Sequence, residues 1–118
     1  MDLNEVRLCG VIDSAIELDR FGAQQDKFNP VTFTLKVGEC PIICVADDML
    51  GVALQRRYMR GMRCLVVGRI IARYTTNGVL FNGVECRKVI AEGELGFLDE
   101  IRAGMKDPPE ELPVVAQD

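Results

Sequence analysis

The run Val31-Thr32-Phe33-Thr34-Leu35-Lys36-Val37 constrains this chain more than any other feature. Apolar and polar residues alternate strictly over seven positions. A period of two sends successive side chains to opposite faces, so the run predicts a half-buried β-strand. A longer apolar run, residues 62–74, leads into Thr75-Thr76-Asn77-Gly78, and residues 79–90 return. Asn-Gly tolerates the positive φ angles of a tight hairpin turn, so these two segments predict an antiparallel pair. A chain containing these pieces must build a sheet with one buried face.

Three further segments complete the pattern. Residues 3–12 place Val6, Leu8, Gly10 and Ile12 on one face and point Arg7 the other way. Residues 13–30 are polar and irregular, and Asp19 to Asn29 reads as a long exposed loop or hairpin tip. Gly38-Glu39 turns the chain into a strand over residues 40–46, with Pro41 at its start or on an edge because it has no N–H to donate. Residues 47–60 change period: Leu50, Ala53, Leu54 and Met59, with Val52 nearby, form a helical stripe. Asp47 or Asp48 is the N-cap, and Gly61 is the stop.

The order is therefore strand, strand, strand, short helix, strand, strand. The chain is expected to be all-β, a five-stranded OB-fold barrel with a short helix between strands 3 and 4. In the fourth strand, Cys64, Val66, Gly68, Ile70 and Ala72 are assigned to the inner face, with Gly68 at a bend or bulge. Leu65, Val67, Arg69, Ile71 and Arg73 are assigned to the outer face. Residues 91–106 suggest a short C-terminal helix carrying Leu95, Leu98, Ile101 or Arg102, and Met105. Residues 107–118, with three prolines, are expected to be disordered. The barrel is assigned to residues 1–92 and an acidic helix and tail to residues 93–118.

Composition narrows the function classes. The 118 residues suit one domain. With no histidine, the commonest general base and metal ligand is missing. Five cysteines, an odd number, argue against a closed disulfide framework, and Cys40 and Cys44 lack the spacing of a zinc knuckle. Reduced, structural thiols are expected. Asp47-Asp48 reads as a helix cap rather than a metal site, and no nucleophile–base pair or phosphate-cradling Gly-rich loop is present. No catalytic residues, no metal and no cofactor are expected. Neither a membrane span nor a signal peptide is apparent, so a cytoplasmic protein is the default. The charge is uneven. Residues 1–93 carry 12 Lys and Arg against 11 Asp and Glu, a net +1, whereas residues 94–118 carry 2 against 7, a net −5.

Several of these segments resemble bacterial and phage single-stranded-DNA-binding proteins. Asn4-x-Val6-x-Leu8-x-Gly10-x-Ile12 is similar to that family's opening strand, and Phe33-Thr34-Leu35-Lys36-Val37 to its second. Tyr58-Met59-Arg60-Gly61-Met62-Arg63-Cys64-Leu65-Val66-Val67-Gly68-Arg69-Ile70 is similar to its helix end and following strand. The likeness covers roughly residues 3–90. It implies a homo-oligomer, dimer or tetramer, that binds single-stranded DNA in replication, recombination or repair by stacking bases on aromatics and meeting phosphates with Lys and Arg. It also implies an acidic tail that recruits replication or recombination proteins. The chain departs from the family in three ways: it has no Trp, it lacks an aromatic at the start of the third strand, and its tail ends Val-Val-Ala-Gln-Asp.

The candidate nucleic-acid contacts are Arg7, Phe28, Lys36, Arg69, Arg73, Tyr74 and Phe81. Tyr74 is the leading stacking residue and follows Arg69 and Arg73; Phe81 lies across the turn, with core packing as its alternative. Phe21 and Phe28 sit in the long loop. Arg7, Lys36, Arg69 and Arg73 alternate with core residues, and a solvated sheet face is their other reading. Arg56, Arg57, Arg60 and Arg63 either track phosphates or balance the helix dipole. Val11, Val67 and Ile71 are outward and apolar, which predicts an oligomer interface. The competing function is an OB-fold adaptor or primosomal accessory protein acting through protein–protein contacts.

Overall fold

The computed structural model describes residues 3–18, 30–74 and 78–105. The strands are β1 (Val6–Ile12), β2 (Glu17–Leu18), β3 (Val31–Val37), β4 (Cys40–Ala46), β5 (Arg63–Tyr74) and β6 (Leu80–Ala91). The helices are α1 (Asp48–Arg57) and α2 (Phe97–Met105). The five long strands close in the order β1-β5-β6-β4-β3-β1, with β2 a short addition to the edge of β3. All pairings are antiparallel except β4 with β6, where Cys44 faces Val84 and Val45 faces Glu85. Counting only the long strands, α1 lies between the third and fourth, as the sequence predicts.

Two glycines allow the barrel to close. Gly10 lies where β1 passes from β5 to β3, and a Cβ there would stand 2.4 Å from the Lys36 carbonyl oxygen. Gly68 marks the predicted bulge. Val67 pairs with Lys88 but Gly68 pairs with Cys86, so Arg87 is the extra residue. Bulges of this kind bend a strand and tighten its twist, which a small barrel needs.

The alternating residues fill the barrel. Ile12, Val31, Phe33, Leu35, Cys44, Cys64, Val66, Val84, Cys86 and Val89 share one core. Burial pushes the Cys64 thiol up to about 12, and contact with Cys44 together with burial raises Cys86 as well. Thiols held protonated in this way behave as small apolar side chains. All five cysteines are free.

Helix α1 plugs one end of the barrel. Asp47 is its N-cap residue and Leu54, at 0% exposure, its anchor. The helix ends earlier than the sequence predicts. Tyr58 turns inward at 8% exposure and becomes the C-cap, while Met59 is exposed. The driving interaction is a carboxylate: the Tyr58 hydroxyl donates to Glu94 Oε1 at 2.6 Å, the Ala91 N–H donates to the same oxygen at 2.8 Å, and Arg57 donates to Oε2 at 2.6 Å. Bonding from Tyr58 and Ala91, followed by Arg57, holds the Glu94 carboxyl below its ordinary value. A depressed carboxyl stabilises the fold above the unfolded-state pKa, and that contribution is lost as pH falls through the folded-state value. The thermal midpoint of the wild type is therefore expected to drop more steeply than that of Glu94→Gln as the pH is lowered from about 5 to about 3. Parallel melting curves across that interval would show that Glu94 carries no linked proton.

The sequence expectation for the outer face needs correction. Val67 is 2% exposed, because α2 lies across β5 and buries Leu65 and Val67 beneath Phe97, with Cys9, Ile90 and Ile101 packed around them. The chain thus covers part of the apolar patch from which an oligomer interface was predicted. Of the predicted stripe only Ile101 packs inward, joined by Phe97. Phe97 and Ile101 point inward, whereas Leu95, Leu98 and Met105 are exposed. Gly93 and Gly96, both at positive φ, set this entry angle.

Candidate nucleic-acid interface

Beyond Gly68 the fourth long strand leaves the barrel. Position 68 is the last on β5 that β1 pairs with, and only β6 continues alongside residues 71–74. Ile70 is therefore 53% exposed and Ala72 is exposed, although alternation alone assigns both to the core. The result is a two-stranded ribbon projecting past the barrel wall. Its root is fixed by Asn4: Asn4 Nδ2 donates to the Ile70 carbonyl at 2.9 Å, and the Ile70 N–H donates to Asn4 Oδ1 at 2.8 Å. One side-chain amide thus replaces the missing ladder partner for both backbone groups of Ile70.

Register sorts the predicted contacts on this ribbon. Arg69 pairs with Glu85, Ile71 with Gly83 and Arg73 with Phe81; the alternate positions pair Ile70 with Val84, Ala72 with Asn82 and Tyr74 with Leu80. Directly paired positions share a face. Positions 69, 73 and 81 therefore lie on one face and position 74 on the other. Phe81 is half-buried, and Val79 and Leu80 are exposed. Phe21 and Phe28 lie outside the described residues.

Carboxylates neutralise several of the predicted cations. Arg7 donates to Glu100 Oε1 at 2.8 Å and Lys88 to Oε2 at 2.9 Å, which bridges β1, β6 and α2. These bonds, that from Arg7 foremost, hold Glu100 below the ordinary carboxylate range. Arg69 meets Glu85 at 2.7 Å. Lys36 is 3.9 Å from Glu39, a loose pair of exposed side chains. Sequence reasoning missed Glu100, Glu94 and Asn4 as organisers of this surface. Their partners lie 93, 36 and 66 residues away, and no local pattern encodes those contacts.

The fold is similar to that of solved domains. The structure resembles the SSB domain of a Synechococcus sp. protein with a TM-score of 0.61 at 15% identity, over 75% of this chain and 96% of that one. It resembles the second single-stranded-DNA-binding protein, SSBb, of Mycobacterium smegmatis with a TM-score of 0.63 at 14% identity, over 76% and 87% of the two chains. The chain has the OB fold. No family model matches its sequence, and no curated protein does. The OB barrel thus rests on three-dimensional likeness and on the strand order, not on sequence identity. Among the described residues, no helix is long and apolar enough to cross a membrane.

Proposed function

We propose that this OB barrel binds single-stranded DNA without sequence preference, as a non-enzymatic factor in replication, recombination or repair. The observation that carries this reading is the overlap with two solved domains of that class across most of their length. Single strands suit such a surface because every base has a face to stack and every nucleotide a phosphate to meet. The ribbon supplies both kinds of group, with Arg69, Arg73 and Phe81 at positions on one face and Tyr74 on the other. Arg7, Lys36 and the loop residue Phe28 extend the proposed contact set. Exposed Ile70, Val79 and Leu80 support self-association through the ribbon, and the acidic segment after residue 93 is proposed to recruit protein partners.

Tyr74 is the sharpest point of test. The chain has no Trp and only two Tyr, and Tyr58 is buried in the core, so a change in tyrosine emission on adding oligo-dT reports on Tyr74. Quenching is expected in the wild type. Tyr74→Ala should lose it, along with about 1–3 kcal/mol of affinity, the usual contribution of one stacked base. Unchanged affinity in Tyr74→Ala would remove Tyr74 from the site.

A further inference from the structure

The described cations differ in how closely a carboxylate holds them. Arg7 and Lys88 share Glu100, Arg57 meets Glu94 and Arg69 meets Glu85, all at 2.9 Å or less. At the other extreme, Arg63 has no carboxylate within 4.0 Å among the described residues. Lys36 and Arg60 have theirs only at 3.9 and 3.7 Å.

Among the described residues Arg56 likewise has no carboxylate within 4.0 Å, and Arg87 and Arg102 have theirs at 3.5 and 3.6 Å, but these lie on α1, β6 and α2; Lys36, Arg60 and Arg63 share one place in the fold. Val11 pairs with Arg63 of β5 on one side and with Lys36 of β3 on the other. Arg63, Val11 and Lys36 therefore form a single row across three strands, and both cations are exposed. Two strand spacings put the ends of the row about 10 Å apart. Arg60 joins the row through the turn before β5. The Gly61 N–H donates to the Ile12 carbonyl at 2.7 Å and the Ile12 N–H donates to the Met62 carbonyl at 2.8 Å, which fixes the turn against β1. Arg60 reaches toward Asp13 from there.

We propose that Lys36, Arg60 and Arg63 form a phosphate-binding row at the closing seam of the barrel, taking the backbone of the same single strand that the ribbon engages. The inference rests on the proposed single-strand binding. It adds the seam to the proposed contacts at Arg7 and Arg69, whose charges Glu100 and Glu85 hold more tightly.

Counterion release gives the test. Each phosphate neutralised on a single strand contributes about −0.7 to the slope of log affinity against log salt. Full-length wild type and the triple variant Lys36→Gln/Arg60→Gln/Arg63→Gln are titrated with labelled oligo-dT over a salt series. The triple variant is expected to show a slope shallower by about 2, the sum of three such contacts. Arg87→Gln, which lies outside the row, should keep the wild-type slope. Lys36→Arg/Arg63→Lys should also keep it, because the charges are conserved. If the triple variant melts early, the single variants Lys36→Gln and Arg63→Gln are read instead, each with a slope shallower by about 0.7. Wild-type slopes in the neutralised variants would overturn the row while leaving single-strand binding intact. Failure of the wild type itself to bind oligo-dT would overturn the underlying reading.

Discussion

Gly68→Ala is expected to destabilise the protein by about 2–4 kcal/mol, measured by denaturant or thermal unfolding of the purified chain. A Cβ at this position would lie 2.1 Å from the Glu85 carbonyl oxygen, 2.9 Å from its carbon and 3.1 Å from the Cys86 Cα. All three are backbone atoms, so no rotamer change relieves the contact. The two strands would have to separate where the bulge bends them together, which weakens the Gly68–Cys86 and Arg69–Glu85 pairings on either side. The ribbon begins at this point, so the substitution should also loosen residues 70–74 and raise their amide hydrogen exchange. A melting curve indistinguishable from wild type would mean that the strands do not approach this closely.

Phe97→Ala is expected to be comparably severe, at about 3 kcal/mol, the lower end of the range for losing a buried phenylalanine. Phe97 is 7% exposed and is the buried anchor of α2. The helix has nine residues, too few to persist without packing. Removing the ring should therefore release most of α2 and leave Leu65 and Val67 open to water on the outer sheet face. Newly exposed apolar surface of this kind promotes association. Light scattering of the variant should show a larger mass than the wild type at equal concentration. A variant that melts normally at unchanged mass would show that α2 does not depend on Phe97.

Much of the barrel was legible from alternation alone. Val31–Val37 and the five-strand order could be read directly because burial on one face imposes a period of two, and Gly68 was visible as a bulge because a lone glycine in an apolar strand has few other uses. Alternation failed at Ile70 and Ala72. Periodicity says which face a residue takes but not where the neighbouring strand ends, and β1 stops pairing opposite Gly68. Strand β2 is two residues long, too short to show a period. The burial of Val67 was hidden because its cover, Phe97, lies 30 residues further along the chain, in a helix whose facing the two turn glycines decide.

The candidate site was less legible than the fold. Outward alternation picked out Arg7 and Arg69 correctly as surface cations but could not show that Glu100 and Glu85 neutralise them. Conversely, Arg63 and Lys36 are 27 residues apart in sequence, and only the register through Val11 makes them neighbours. Charge pairing across a sheet is a property of register, and register is set by the whole barrel.

Fluorescence anisotropy of labelled oligo-dT titrated with the full chain at low salt tests single-strand binding most directly. Saturable binding tighter than about 10 μM, weakening steeply as salt is raised, is the predicted result, with a duplex of equal length competing poorly. A folded protein that leaves the anisotropy unchanged at low salt, or that binds the duplex equally well, would contradict it.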